Sequence, residues 1–247
     1  MPALRFLPVS LCSLFLVSAA SLTFAGPPFK TDDPEPVEYL HWEFYIASMQ
    51  QFTAHETGAT CPHAEVNYGV VPNVQLHIVV PFFYSHTTEG THYGYSDTEI
   101  GVKYRFIGET ETMPQAGIFP LLEIPTGDEK KGLGSGELQA FLPAWVQKSW
   151  GALTTYAGGG FWYNPGAGRE NWLFTGWEVQ YDFSEVVTLG SELYYQTADT
   201  EGAASRGGFN LGGFVNVSEN HHILFSVGRN IAGATTITGY LGFQLTV

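Results

Sequence analysis

The sequence predicts an all-β chain that closes into a single transmembrane, antiparallel, up-and-down barrel of about twelve strands. Three observations predict it. Apolar residues recur at every second position through one segment after another, the period of a strand with two unlike faces. Most of these segments run 10 to 14 residues, the span a tilted strand needs to cross a bilayer. The connections alternate between tight turns and longer pieces rich in Gly and charge, so all the longer ones fall on one rim. A soluble sandwich would turn its apolar faces inward; a membrane barrel turns them toward lipid and keeps a polar lumen.

The elements follow in chain order. Residues 1–25, MPALRFLPVSLCSLFLVSAASLTFA, carry one Arg, an apolar stretch and small residues ending at Ala25. They read as a signal peptide cleaved after Ala25. Residue 11, before Cys12, is Leu, where a lipoprotein site wants a small residue, so no lipid anchor is expected. Residues 26–38, GPPFKTDDPEPVE, are expected as an irregular periplasmic lead-in, because Pro28, Pro34 and Pro36 discourage regular structure.

The barrel is expected over 39–247, with strands at 39–53, 60–70, 74–87, 96–106, 114–125, 136–149, 152–163, 172–183, 186–198, 207–217, 222–230 and 235–247. In the first, Leu40, Trp42, Phe44 and Ile46 alternate with His41, Glu43, Tyr45 and Ala47. In the fourth, Ile100, Val102, Tyr104 and Phe106 alternate with Glu99, Gly101, Lys103 and Arg105. Tight connections are VPN, IGETETM, KSWG, DFSEVV and SENH; longer ones are TTEGTHYGY, TGDEKKGLGSG, NPGAGREN and TADTEGAASR. Trp162, Tyr163, Trp172, Tyr194 and Tyr195 are placed toward the long-loop rim, and Phe106, Trp150 and Phe183 toward the other, as interfacial girdles. The ending TTITGYLGFQLTV puts Ile237, Leu241, Phe243, Leu245 and Val247 on one face. Its Gly242-x-x-Leu245-x-Val247 spacing resembles the C-terminal signal read by outer-membrane assembly machinery. The last strand is expected to pair with the first, which leaves no open edge in lipid.

Composition narrows the function. The net charge is −14, which argues against nucleic acid as a partner. After the signal only Cys61 remains, so no intramolecular disulfide is possible.

The segments SDTEIGVKYRF, GIFPLLEIPTGD, GLGSGELQAFLPAWVQKSWG, YAGGGFWYNPG and WEVQYDFSEVVTLGSELYYQT resemble the outer-membrane proteins grouped under the meta-pathway of phenol degradation, some of them named outer-membrane transporters. The similarity runs from about GPPFKTDDPEPVEY to the C-terminus. It implies an outer-membrane barrel of a Gram-negative cell that passes small organic, including aromatic, compounds. The resemblance carries no functional residues over to this sequence; neither enzyme activity nor a cofactor is expected.

Under the barrel reading the polar faces point into the lumen. The candidate lining residues are Glu43, Glu65, His77, Glu99, Lys103, Arg105, Glu123, Glu137, Glu178 and Glu192. Acids outnumber bases, so an open pore would favour cations or neutral solutes over anions. Equally, Lys103 and Arg105 could pair with glutamates in a network that plugs the barrel. Pro81, Pro120 and Pro143 each interrupt an apolar strand. Proline removes a ladder donor, and weak pairing there would mark either a local bulge or a lateral opening to the membrane. Outer-membrane lipid and lipopolysaccharide, the assembly machinery and a small organic solute are the expected partners. The competing reading is a non-conducting structural or surface-interaction barrel.

An outer-membrane lipid hydrolase would need Ser and His in reach near a rim. Ser85, His86, His92, Ser96 and Asp97 are the candidates, but alternation puts Ser85 and His86 on opposite faces. No G-x-S-x-G is present, and GLGSGE at 132–137 lacks the Lys-Ser/Thr ending of a phosphate loop. Neither His86 with His92 nor His221 with His222 supplies a four-ligand metal set.

Overall fold

The computed structural model describes residues 27–247; the expected signal peptide lies outside the described residues. Twelve antiparallel strands close into a barrel: β1 (Trp42–Phe52), β2 (Thr57–Val71), β3 (Val74–Thr87), β4 (Gly90–Tyr95, resuming as Thr98–Ile107), β5 (Gln115–Ile118, resuming as Leu121–Ile124), β6 (Gln139–Trp150), β7 (Leu153–Tyr163), β8 (Trp172–Asp182), β9 (Val187–Gln196), β10 (Arg206–Ser218), β11 (His221–Ala232) and β12 (Ile237–Thr246). Each strand pairs with its neighbours in sequence, and β1 closes on β12 in register from Glu43↔Thr246 to Phe52↔Ile237. No sheet edge is left along the barrel wall, as a structure surrounded by lipid requires.

Alternation sorts the side chains. In β8 the odd residues Leu173, Thr175 and Trp177 face out, while Trp172, Phe174 and Glu178 are buried within. The outer surface carries Phe44, Ile78, Val102, Leu142, Leu193, Val227 and Leu241, all exposed. In water, leaving such side chains uncovered forgoes about 2 kcal/mol each; in lipid they are at home. The inner face carries the polar and charged residues together with a large share of the aromatics.

The tight turns, the start of β1 and the end of β12 gather at one rim. The other rim holds the longer loops 125–138, 164–171 and 197–205. The stretch TTEGTHYGY, expected as one of the long loops, instead turns at Thr88 and Glu89 and returns as the upper part of β4, pairing Phe82↔Tyr95 through Thr87↔Gly90. That hairpin extends past β5, so residues 90–95 pair only with β3. At the break in β4, Asp97 accepts N–H bonds from Gly127 (2.9 Å) and Ser135 (2.5 Å), pinning loop 125–138 to the rim.

β5 breaks at Phe119–Pro120, yet its register runs through the break without a shift. Ile118 pairs with Tyr104 and Ala144 on one side of it, and Leu121 with Gly101 and Phe141 on the other. What is lost is donors. The Val102 N–H donates to Pro120 O at 3.1 Å and the Phe119 N–H to Pro143 O at a long 3.4 Å, but neither proline can return a bond. Pro81, by contrast, sits within an unbroken β3 opposite His63, next to a bulge in β2.

Three of the eight girdle expectations are corrected. Tyr163 and Tyr195 face outward at the long-loop rim, and Phe106, Trp150 and Phe183 do so at the other. Trp162, Trp172 and Tyr194 are buried inside the barrel. Neighbours on a strand point to opposite faces, so Trp162 and Tyr163 cannot both join a girdle.

Candidate functional site: the lumen and the segment inside it

Residues 27–38 adopt no strand or helix, and they lie inside the barrel. Phe29, Thr31, Asp32, Pro34 and Val37 are buried. The segment is held by polar contacts to five wall strands. Glu192 of β9 accepts bonds from the backbone N–H groups of Lys30 (3.2 Å) and Thr31 and from the Thr31 hydroxyl (2.6 Å). The Lys103 ammonium of β4 lies 3.0 Å from Asp32 Oδ1 and 3.6 Å from Asp33 Oδ1. Arg105 pairs with Glu35 at 3.5 Å, and Gln115 of β5 donates to the same carboxylate at 3.2 Å. The Val37 N–H donates to Gln75 of β3, and Ser226 of β11 donates to Pro28 O.

Two glycines make room for it. A Cβ at Gly69 would strike the backbone of Val37 and Glu38, and one at Gly176 would strike the Thr31 hydroxyl. Where the segment meets the wall at Gly69, Tyr39 forms a parallel bridge and the Leu40 N–H donates to Gly69 O. A buried polar segment is tolerable because nearly all of its groups are paired, Asp32 Oδ2 being an exception.

Nine of the ten candidate lining residues face the lumen. Glu65, His77, Glu99, Lys103, Glu123, Glu178 and Glu192 are buried there, and Glu43 and Arg105 are half-buried toward the tight-turn end. Glu137 does not join them. It is exposed in loop 125–138, because β6 begins only at Gln139. Between the lead-in and the wall is a cavity of about 390 Å³, lined by Asp32, Asp33, Glu35, Glu43, Glu65, His77, Glu99 and Lys103 among others. His77 holds Asn67 Oδ1 at 2.7 Å through Nδ1 and Glu99 at 2.9 Å through Nε2. Asn67 in turn donates to Glu65 at 2.8 Å.

Glu178 differs from the rest. It stands directly across from Glu192 in the β8–β9 register and from Tyr156 in the β7–β8 register. It is fully buried, and neither carboxylate oxygen has a donor in hydrogen-bonding geometry. The Tyr156 hydroxyl approaches the Glu178 carboxylate without meeting hydrogen-bond geometry.

Toward the long-loop rim the lumen turns aromatic. Phe119, Leu121, Phe141, Trp145, Trp162, Trp172, Phe174 and Tyr194 form one buried cluster. Phe141 stacks on Trp162 with centroids 4.8 Å apart, and Trp162 on Trp172 at 5.1 Å. Above the cluster, the Gln139 amide lies 2.6 Å from Glu123 and 2.9 Å from Arg169 Nη1, and it bridges the two when its nitrogen faces the carboxylate. Arg169 also donates to Ser135 O at 2.7 Å, and Asn164 donates to the backbone of Glu170 and Asp199. The three long loops thus tie to one another across the mouth.

The hydrolase candidates are not assembled. Ser85 is buried, whereas His86 is exposed and bonded to Thr91. Ser85 and His92 are register partners, but among the described residues no hydrogen bond joins them. Asp97 is engaged with backbone N–H groups. The sequence reading missed the lumen aromatics and the docking of 27–38. Strand parity could have signalled the first; irregular, proline-rich sequence held no signal for the second.

No protein-family model matches the chain, and a search of curated proteins found no match. Among solved structures, the chain is similar to an outer membrane channel from Pseudomonas putida F1, with a TM-score of 0.71 and 14% identity over 88% of this chain and 99% of that one. It is similar to the KdgM porin, with a TM-score of 0.56 and 10% identity over 81% of this chain and 98% of the porin. The translocator domain of the autotransporter NalP from Neisseria meningitidis gives a TM-score of 0.56 and 10% identity over 83% of this chain and 88% of that one. At such identities the likeness is one of fold: the chain has the architecture of outer-membrane barrels.

Proposed function

We propose that the chain is an exported outer-membrane channel for small organic solutes, neutral or apolar and aromatic ones among them, described here in its closed state. One observation carries the reading. Toward the tight-turn rim the lumen is filled not by the wall itself but by residues 27–38, a segment without regular structure held by separable ion pairs and hydrogen bonds. A plug of that kind can leave while the barrel stays closed around its strands. The inward aromatic cluster supports the solute class, as does the resemblance to the phenol-degradation group. The acidic cavity disfavours anions. Lipid and lipopolysaccharide would surround the apolar outer face, and the C-terminal strand would be the part read during assembly.

A second reading, a permanently plugged structural barrel, is favoured by the number of lead-in contacts. Liposome swelling separates the two. Refolded protein should admit phenyl glucoside faster than glucose and at least about tenfold faster than benzoate, since each 1.4 kcal/mol of discrimination is one decade. Swelling no faster than in protein-free liposomes for all three solutes would contradict the channel reading.

The missing donors at Pro120 and Pro143, one on each side of β5, are the observation in favour of a lateral route from the lumen to the membrane. Pro81, in a continuous strand, contributes less to it.

A further inference from the structure

The lead-in occupies its deepest contact in the manner of a ligand. Glu192 is nearly fully buried and gathers four donors: two backbone N–H groups and the hydroxyl from Lys30–Thr31, and Asn210 Nδ2 at 2.5 Å. The Lys30 ammonium sits 4.3 Å above the centre of the Tyr194 ring, a cation–π arrangement. Directly across the sheet the Glu178 carboxylate is wholly buried with no hydrogen-bond donor on either oxygen. A buried carboxylate facing a second one is costly unless a cation or donor serves it. The lead-in serves only one of the pair.

We infer that Glu178, Glu192 and the face of Tyr194 form a binding site for the protonated amine of an organic solute, for which Lys30–Thr31 is the resident stand-in. An ammonium carries three donors and no acceptor, which suits two paired acceptor groups with an aromatic face one same-face step along the strand. Phe174, stacked on Tyr194 with centroids 6.5 Å apart, continues into the aromatic cluster, so an apolar or aromatic body attached to the amine would lie against it. The solute and the lead-in then compete for Glu192, and binding of one releases the other. This narrows the solute class of the proposed channel. It rests on that reading for how the amine arrives, and not for whether it binds.

Calorimetric titration of the full refolded chain in detergent with benzylamine and with benzyl alcohol at neutral pH tests it, after heat-modifiable gel mobility has shown each variant to be a barrel. Benzylamine should bind at least about tenfold more tightly than the alcohol, the worth of one charge-assisted hydrogen bond. Glu178→Gln and Glu192→Gln should each remove that preference. Thr31→Val, which leaves the barrel wall untouched and takes one bond from the competitor, should tighten benzylamine about tenfold and leave benzyl alcohol unchanged. Equal binding of the two probes overturns the inference, as does a preference that survives both glutamine variants or a Thr31→Val chain that binds the amine no better. Solute-driven swelling that persists alongside any of those results leaves the channel reading standing. Absent swelling with intact amine preference would instead sink the channel and keep the site.

Discussion

Lys103 and Asp32 face each other at 3.0 Å with both side chains almost fully buried. Attraction between such groups offsets their desolvation, and the pair is worth little against an apolar replacement of both. Breaking it from one side is another matter, because the surviving charge stays buried: about 3–5 kcal/mol is lost. Lys103→Met should therefore undock the lead-in. Limited proteolysis should then cut within residues 27–38, while the wild-type and Lys103→Arg chains resist. Equal resistance in all three would show that this ion pair does not hold the segment. Glu123 was legible from its neighbours: in GIFPLLEIPTGD, Ile118 and Leu122 face outward and Glu123 inward. The role of Lys103 was half legible. Its inward direction follows from strand parity, but its partner lies 71 residues away in sequence in a stretch with no periodicity, and no local signal could pair them.

At the scale of the element, β5 and β6 hold the weakest part of the wall. Pro120 and Pro143 each remove one donor from ladders whose register runs unshifted through the Phe119–Pro120 break. Replacing both with Val should restore up to one bond apiece and stabilise the barrel by about 1 kcal/mol for each, read as a higher denaturant midpoint. If the gap serves as a lateral route, the same double variant should also slow the uptake of apolar solutes into liposomes; unchanged flux would remove that route. Periodicity made the twelve strands readable, since both faces of a membrane strand are chemically distinct. It was less informative where glycine and threonine blur the contrast: residues 90–95 look like a loop and form a hairpin. It also said nothing of apolar residues that face the lumen. Trp162 and Trp172 are as hydrophobic as a girdle needs, and only parity distinguishes the two placements.

The whole molecule reverses the usual arrangement of a globular protein. Its outer belt is apolar, and its interior holds an acidic cavity at one end and an aromatic cluster at the other. The lead-in fills the first and reaches the edge of the second. Gly176 is the point where this arrangement can be tested without altering a charge or a proline. A side chain there would take the space of the Thr31 hydroxyl, so Gly176→Val should expel residues 27–38 from a barrel that is otherwise intact. The most direct measurement is single-channel conductance of the two proteins in planar bilayers. Wild-type chains should open only briefly, and Gly176→Val chains should show long-lived, cation-preferring openings. A Gly176→Val barrel that inserts and opens no longer than the wild type would contradict the claim that residues 27–38 are what closes the lumen.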